Sequence, residues 1–217
     1  VSRLSVLLAS WLTCALTLGV VSAASAASLT VHSFDADGKP MPDVAIALYP
    51  KFSIPFDRAI PPDAVVAQQN MQFVPYLTVI RTGSRVSFPN RDNMEHHLKS
   101  FSATKEFEFK IYSSGTPPPV VFDRPGPVGL HCLIHDWMQG FIYVVDTPFY
   151  GATDAGGATS LDSLPEGKYE VRAWHPTMSS YLPPLSKDVT LGNGGQTEVR
   201  FDFAFVPKKR RQPHPLS

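Results

Sequence analysis

Apolar and polar residues alternate along many short runs of this chain, and no long stretch keeps helical spacing. The pattern is clearest in LTVHSF (29–34), DVAIALYP (43–50), YLTVI (76–80), RVSFPN (85–90), KEFEFKIY (105–112), PVVFD (119–123), GFIYVVD (140–146), KYEVRAW (168–174) and TEVRFDFAF (197–205). Period-two alternation gives a strand one buried and one exposed face. Between the runs lie the turn signals DADGKP, RTGS, LPEG and GNGG. Strands this short, separated by Gly- and Pro-rich turns, predict an all-β protein of antiparallel sandwiches.

The runs fall into groups. Residues 28–49 read as a hairpin, strand–turn–strand around DADGKP. Two strands alone cannot bury a core, so this pair is expected to join the strands of 150–206, which follow the Gly-rich turn TDAGGA. Residues 60–148 hold a complete strand set of their own. The expected architecture is a Greek-key sandwich at 60–148 inserted in a second, discontinuous sandwich built from 28–50 and 149–207. A single continuous ten-stranded sandwich is the alternative. The closing segment PKKRRQPHPLS, with 208–217 as a basic tail, is expected to be solvated and disordered.

Two features place the chain outside the cytoplasm. Arg3 precedes an uncharged, mostly apolar run from Val6 to Val21, and Ala24–Ala26 offers A-x-A-like cleavage positions. This is the pattern of an export signal at 1–26, and periplasmic residence is the expectation. The run is too short to span a bilayer comfortably, and no other segment is apolar enough to cross one. Lysine plus arginine equals aspartate plus glutamate at 19 each, so no global basic charge invites nucleic acid. Setting aside Arg3 and the four basic residues at 208–211 leaves 14 basic side chains against 19 acidic ones. The body is mildly acidic.

Cys14 is expected to leave with the signal, which makes Cys132 a lone thiol in an oxidising compartment. Without an internal partner for a disulfide, it must be buried and inert, paired to another chain, reactive, or metal-bound. Its neighbours in HCLIHDWMQG favour the last option. His135 and Met138 follow Cys132 at three-residue steps in a short loop. His96 and His97 follow the strand ending VSFPN; adjacent strand residues point to opposite faces, so one of the two can join Cys132 readily. Thiolate and thioether favour Cu(I), and imidazole suits both copper oxidation states. Two imidazoles and a thiolate in a plane with a weak axial Met make a blue-copper site. Zinc gains little from a thioether, and a catalytic thiol has no use for Met138.

Residues 76–146 resemble the cupredoxins, particularly the amicyanin/plastocyanin group and its methylamine-utilisation-type members. CLIHDWM is similar to the short Cys-x2-His-x2-Met loop of amicyanin, and PNRDNMEHH to the upstream N-x-[DE]-x-x-x-H-N segment. The match covers roughly a third of the chain with specific motifs. It places His96 at the ligand position and puts His97 where the family usually has Asn. The resemblance implies one mononuclear copper ion held by His96, Cys132, His135 and Met138, and an apolar patch around the second histidine where electrons pass. The flanks, VHSFDADGKPMPDVAIALYP and TDAGGATSLDSLPEGKYEVRAWHP, look like two halves of a carboxypeptidase-regulatory-like, transthyretin-type sandwich. Such domains bind protein or carbohydrate partners, or scaffold.

The expectation is an exported type 1 copper protein, not an enzyme, carrying single electrons between periplasmic redox proteins. Alternatives are copper delivery, or a partner- or carbohydrate-binding sandwich with a structural metal. Trp137 is expected either to widen the docking patch or to pack the loop, and Asp136 to give the rim a negative charge that steers a basic partner. His131 and His97 should face away from the metal. Glu95 either raises the pKa of His96 or points to solvent, and Asn90 and Asp92 shape the loop before it. Trp174 is expected in a core or interface.

Overall fold

The computed structural model describes residues 26–54, 61–178 and 182–211. Cys14 and the proposed signal before residue 26 lie outside the described residues, as does the tail beyond 211. The described residues are all-β, with strands and no helix.

The first strands are β1 (Ala27–Phe34) and β2 (Ala45–Pro50), followed by β3 (Ala64–Val65), β4 (Ala67–Gln69), β5 (Gln72–Val74), β6 (Leu77–Arg81) and β7 (Arg85–Ser87). Next come β8 (His96–Ser102), β9 (Lys105–Tyr112), β10 (Val120–Val121), β11 (Gly126–Cys132) and β12 (Gln139–Val145). The last are β13 (Phe149–Ala152), β14 (Ala158–Leu164), β15 (Gly167–Trp174), β16 (Leu185–Leu191) and β17 (Gln196–Asp202).

β1 lies between β14 and β17, and β2 between β13 and β15 with β16 beyond. The hairpin expected over 28–49 is thus corrected: β1 and β2 belong to different sheets. The DADGKP turn does form, with the Asp35 carboxylate accepting from the Asp37 and Lys39 amides at 2.9 Å. It acts as an arch between layers. The reason is visible in β2, which buries Ala45, Ile46, Ala47 and Leu48 in succession. A run buried on both faces needs a neighbour on each edge and cover above and below. Leu29, Val31 and Phe201 from one sheet meet Ile46, Leu48, Tyr169 and Val171 from the other in a single core.

Strands between residues 64 and 145 pair among themselves. A five-stranded sheet in the order β6-β12-β11-β8-β9 packs over β10-β7-β3, burying Val86, Phe88, Leu98, Leu130 and Ile142. The β4–β5 hairpin turns at Asn70 and Met71, both at positive φ (55° and 54°). That pair of dihedrals is what a two-residue hairpin turn requires.

A third cluster joins the two cores. Trp174 is 3% exposed and stacks on Tyr143 at 4.7 Å, with Ala45 and Leu77 beside it. Next in the chain, His175 is buried and accepts a hydrogen bond from the Thr177 amide at 3.0 Å.

Within the expected tail, 208–211 are exposed as solvation predicts, while Arg210 and Arg211 contact the body of the protein. Arg210 lies 3.9 Å over the Tyr76 ring and pairs with Asp43, while Arg211 pairs with Asp136 at 2.6 Å. A guanidinium next to an aromatic face and a carboxylate has two reasons to settle.

Candidate metal centre

Antiparallel pairing of β11 with β8 sets Cys132 opposite Leu98, bringing the end of one strand beside the start of the other. Alternation then turns Leu130, Cys132, His96 and Leu98 into the core. His131 and His97 face outward, as alternation predicts. His97 pairs with Glu108 at 2.7 Å, and His131 lies 6.2 Å from the Phe101 ring.

The loop after β11 folds back on itself. The Cys132 amide donates to the Met138 carbonyl at 3.2 Å, and the Met138 amide to the His135 carbonyl at 2.9 Å. This closure points His135 toward Cys132. The two histidine Nδ1 atoms are 3.2 Å apart, and Cys132 Sγ lies 3.5 Å from Nδ1 of His135 and 3.8 Å from Nδ1 of His96. Bonds of about 2.0–2.1 Å to imidazole and about 2.3 Å to thiolate, as in zinc sites, would separate three donors in a plane by about 3.5–3.8 Å. His96, Cys132 and His135 can therefore hold a metal ion.

The electrostatics favour a thiolate at Cys132 and a neutral imidazole at His135. Burial raises the Cys132 pKa, but hydrogen bonds from His96 and from the amides of His97, Ile134 and His135 outweigh it and bring the thiol below its ordinary value. The His97 amide is 3.5 Å from the sulfur, a contact that needs only a backbone N–H and leaves the His97 side chain free to pair with Glu108. Burial, followed by the charge on His96, lowers the pKa of His135 and leaves it available as a neutral donor.

Asp92 does more than shape its loop. Its carboxylate accepts from the Asn70 amide at 2.6 Å and the Met71 amide at 2.9 Å, and sits 2.9 Å from His96 Nε2. A proton on Nε2 donated to Asp92 leaves the Nδ1 lone pair facing the metal position. Burial alone would lower the His96 pKa; hydrogen bonds to Cys132 and then Asp92 raise it overall. Glu95 is exposed, so the carboxylate acting on His96 is Asp92. Its four-residue spacing to His96 was the available signal. Asn90 shapes the loop as expected, donating to the Met94 carbonyl at 2.8 Å and accepting from the Asp92 amide at 2.9 Å.

Met138 is 1% exposed and belongs to the same buried cluster as Cys132. Trp137 packs the loop: its Nε1–H donates to the Met71 carbonyl at 3.2 Å, and its ring lies 5.3 Å from that of His135. The Asn70–Met71 turn thereby braces both sides of the site, through Asp92 and through Trp137. The apolar residues open to solvent on the loop are Leu133 and Ile134, at 47% and 44% exposure. Sequence reasoning passed over them, although two aliphatic residues between a cysteine and a histidine in a turn are the signal. Asp136, expected to give the rim a negative charge, is exposed and paired with Arg211 at 2.6 Å.

No protein-family model matches the chain, and the curated proteins yield no match. Solved structures of amicyanin and other cupredoxins are similar to it. An oxidized mutant of amicyanin is 23% identical, covering 37% of this chain and 80% of its own, with a TM-score of 0.34. A purple cupredoxin from Nitrosopumilus maritimus is 21% identical, covering 38% of this chain and 99% of its own, with a TM-score of 0.34. The copper-containing nitrite reductase NirK from Thermus scotoductus SA-01 is 19% identical, covering 53% of this chain and 28% of its own, with a TM-score of 0.37. No helix among the described residues is long and apolar enough to cross a membrane.

Proposed function

We propose that this chain is an exported type 1 copper protein that carries single electrons between redox proteins of the periplasm. One observation supports the reading above all: two imidazole nitrogens and a thiol sulfur stand 3.2–3.8 Å apart at a buried end of a β-sandwich. When bound, copper supplies a one-electron couple between Cu(II) and Cu(I). His96, Cys132 and His135 would hold it, and the buried Met138 would add a soft thioether donor able to tune its potential. Asp92 and Trp137 keep two of the donors from moving, which suits a site that must accept an electron with little rearrangement. Four protein donors leave no open position for a substrate, so the chain is read as a carrier. His135 and the exposed Leu133 and Ile134 form the surface through which electrons enter and leave. In the same reading, residues 60–148 are the copper domain, inserted in the sandwich of 28–50 and 149–207.

The test is an absorption spectrum after adding Cu(II) to the protein lacking the signal. An intense visible band, lost in Cys132→Ala and displaced in Met138→Ala, is expected. A colourless protein that takes only Cu(I) or zinc would refute electron carriage and favour delivery or a structural metal.

A further inference from the structure

The face around the metal loop has an apolar centre and a charged edge. Leu133 and Ile134 form the centre beside half-exposed His135. Residues 208–211 run beside the loop, lining a groove with Tyr76 and Trp137, and form the edge on the Asp136 side. Arg211 reaches Asp136 twice, with Nη2 donating to the carboxylate at 2.6 Å and Nη1 to the backbone carbonyl at 3.0 Å. Arg210 is held by Asp43 and the Tyr76 ring. Those contacts engage the two acidic groups of this edge. Lys208 and Lys209 are exposed, and neither forms an ion pair among the described residues. Four cations against two anions leave the edge positive.

We propose that this face docks an acidic protein partner. Carboxylates of the partner meet Lys208 and Lys209 while apolar surface closes over Leu133 and Ile134, bringing the partner's redox group to His135. The proposal rests on the electron-transfer reading. An apolar centre inside a polar rim is the anatomy of a transient protein interface, and opposite rim charges speed encounter in a salt-sensitive way. A protein fits better than a flat anionic membrane, because the basic segment lines a concave groove with Tyr76 and Trp137, which a partner's side chains can enter and a flat surface cannot.

The test has two arms. In the first, poly-L-glutamate is titrated into the isotope-labelled full chain and followed by NMR. Amide shifts confined to 133–137 and 208–211 are expected, with affinity about tenfold weaker in Lys208→Glu/Lys209→Glu. Shifts elsewhere, unchanged affinity in that variant, or tighter binding to phosphatidylglycerol vesicles with the same footprint would overturn the proposal. In the second arm, the reduced copper-loaded protein is oxidised by hexacyanoferrate(III), an anion, or by tris(phenanthroline)cobalt(III), a cation. The anion's rate should fall with added salt and fall again in the double variant, and the cation's rate should rise in both cases. Equal salt dependence for the two oxidants overturns the proposal. The first arm needs no copper, so a missing blue band would sink the electron-transfer reading while the footprint still judged the docking face.

Discussion

Replacing Asp92 with alanine probes the part of the site that no donor list contains. The carboxylate is 10% exposed and joins His96, Asn70 and Met71 through contacts of 2.6–2.9 Å. Hydrogen bonds to a charged group contribute about 1.5–3 kcal/mol each, and they do not add simply. The Asn70 amide, near the surface, can recover a water, whereas His96 is 0% exposed and loses its partner outright. The metal-free protein should therefore lose about 2–4 kcal/mol of stability. A freed His96 ring can rotate and change tautomer, and loss of such outer partners weakens metal binding about 10- to 100-fold. That is about 1.4–2.8 kcal/mol of binding free energy. Urea unfolding measures the first quantity, and competition for Cu(I) against a chromophoric chelator the second. Asp92→Asn, which keeps one acceptor for Nε2–H, should fall between wild type and alanine. Glu95→Ala, at an exposed position, should change stability by less than about 0.5 kcal/mol. Affinity within twofold of wild type in Asp92→Ala, with unchanged unfolding, would refute the claim that this carboxylate orients His96.

Burial, and secondarily the charge of Arg210, depress the His175 pKa from 6.5 to about 4. The unfolded chain binds this proton more readily, so the associated stability is complete above about pH 6.5 and drains away as pH falls to about 4, by about 3 kcal/mol. Urea titrations at the two pH values should show this drop shrink in His175→Asn, which keeps an acceptor for Thr177 without titrating. A Cβ on Gly157, at φ +71°, would stand 2.7 Å from the Met41 amide nitrogen and the Ser33 carbonyl oxygen. Backbone cannot yield as a side chain does, so Gly157→Ala should cost about 1–3 kcal/mol in thermal or urea unfolding. Trp137→Phe keeps the ring beside His135 but removes the hydrogen bond to Met71, and should cost about 0.5–1.5 kcal/mol by urea unfolding with the copper band retained.

Local regularity decided what could be read from the residues. KEFEFKIY matches β9 end to end, because strand alternation is a property of neighbouring positions. The grouping of His96, Cys132 and His135 was legible for a similar reason: cysteine and histidine carry their chemistry with them, and alternation separates His96 from His97. Partnership was harder to see. Periodicity marks β1 and β2 as strands without saying that they face each other across a core. ATSLDSL in β14 lacks a clean alternation, and its burial is correspondingly irregular. The Arg211–Asp136 contact spans 75 positions, and Asp92 reaches His96 by side-chain geometry alone. Trp137 could pack or dock equally well until the Met71 carbonyl gave its N–H a partner.

The stack of Trp174 on Tyr143 bears on how such a molecule can be taken apart or reused. Leu77 on β6 and Tyr143 on β12 present the outer side of the sheet that carries Cys132 to the neighbouring sandwich, and Trp174 and Ala45 answer them from it. Excised alone, the metal-binding portion would expose Leu77 and more of Phe141 and Tyr143 to water, so it is a poor candidate for grafting onto another protein without redesign. Seen from the other side, occupancy is felt at a distance. A ligand that binds only the folded chain adds about 4 kcal/mol of apparent stability at a thousandfold excess over its Kd, and a shared core spreads that gain to strands that donate nothing to the metal. Loss of a bound metal would then register as earlier melting on both sides of the shared core, including strands that never touch the cysteine that let go.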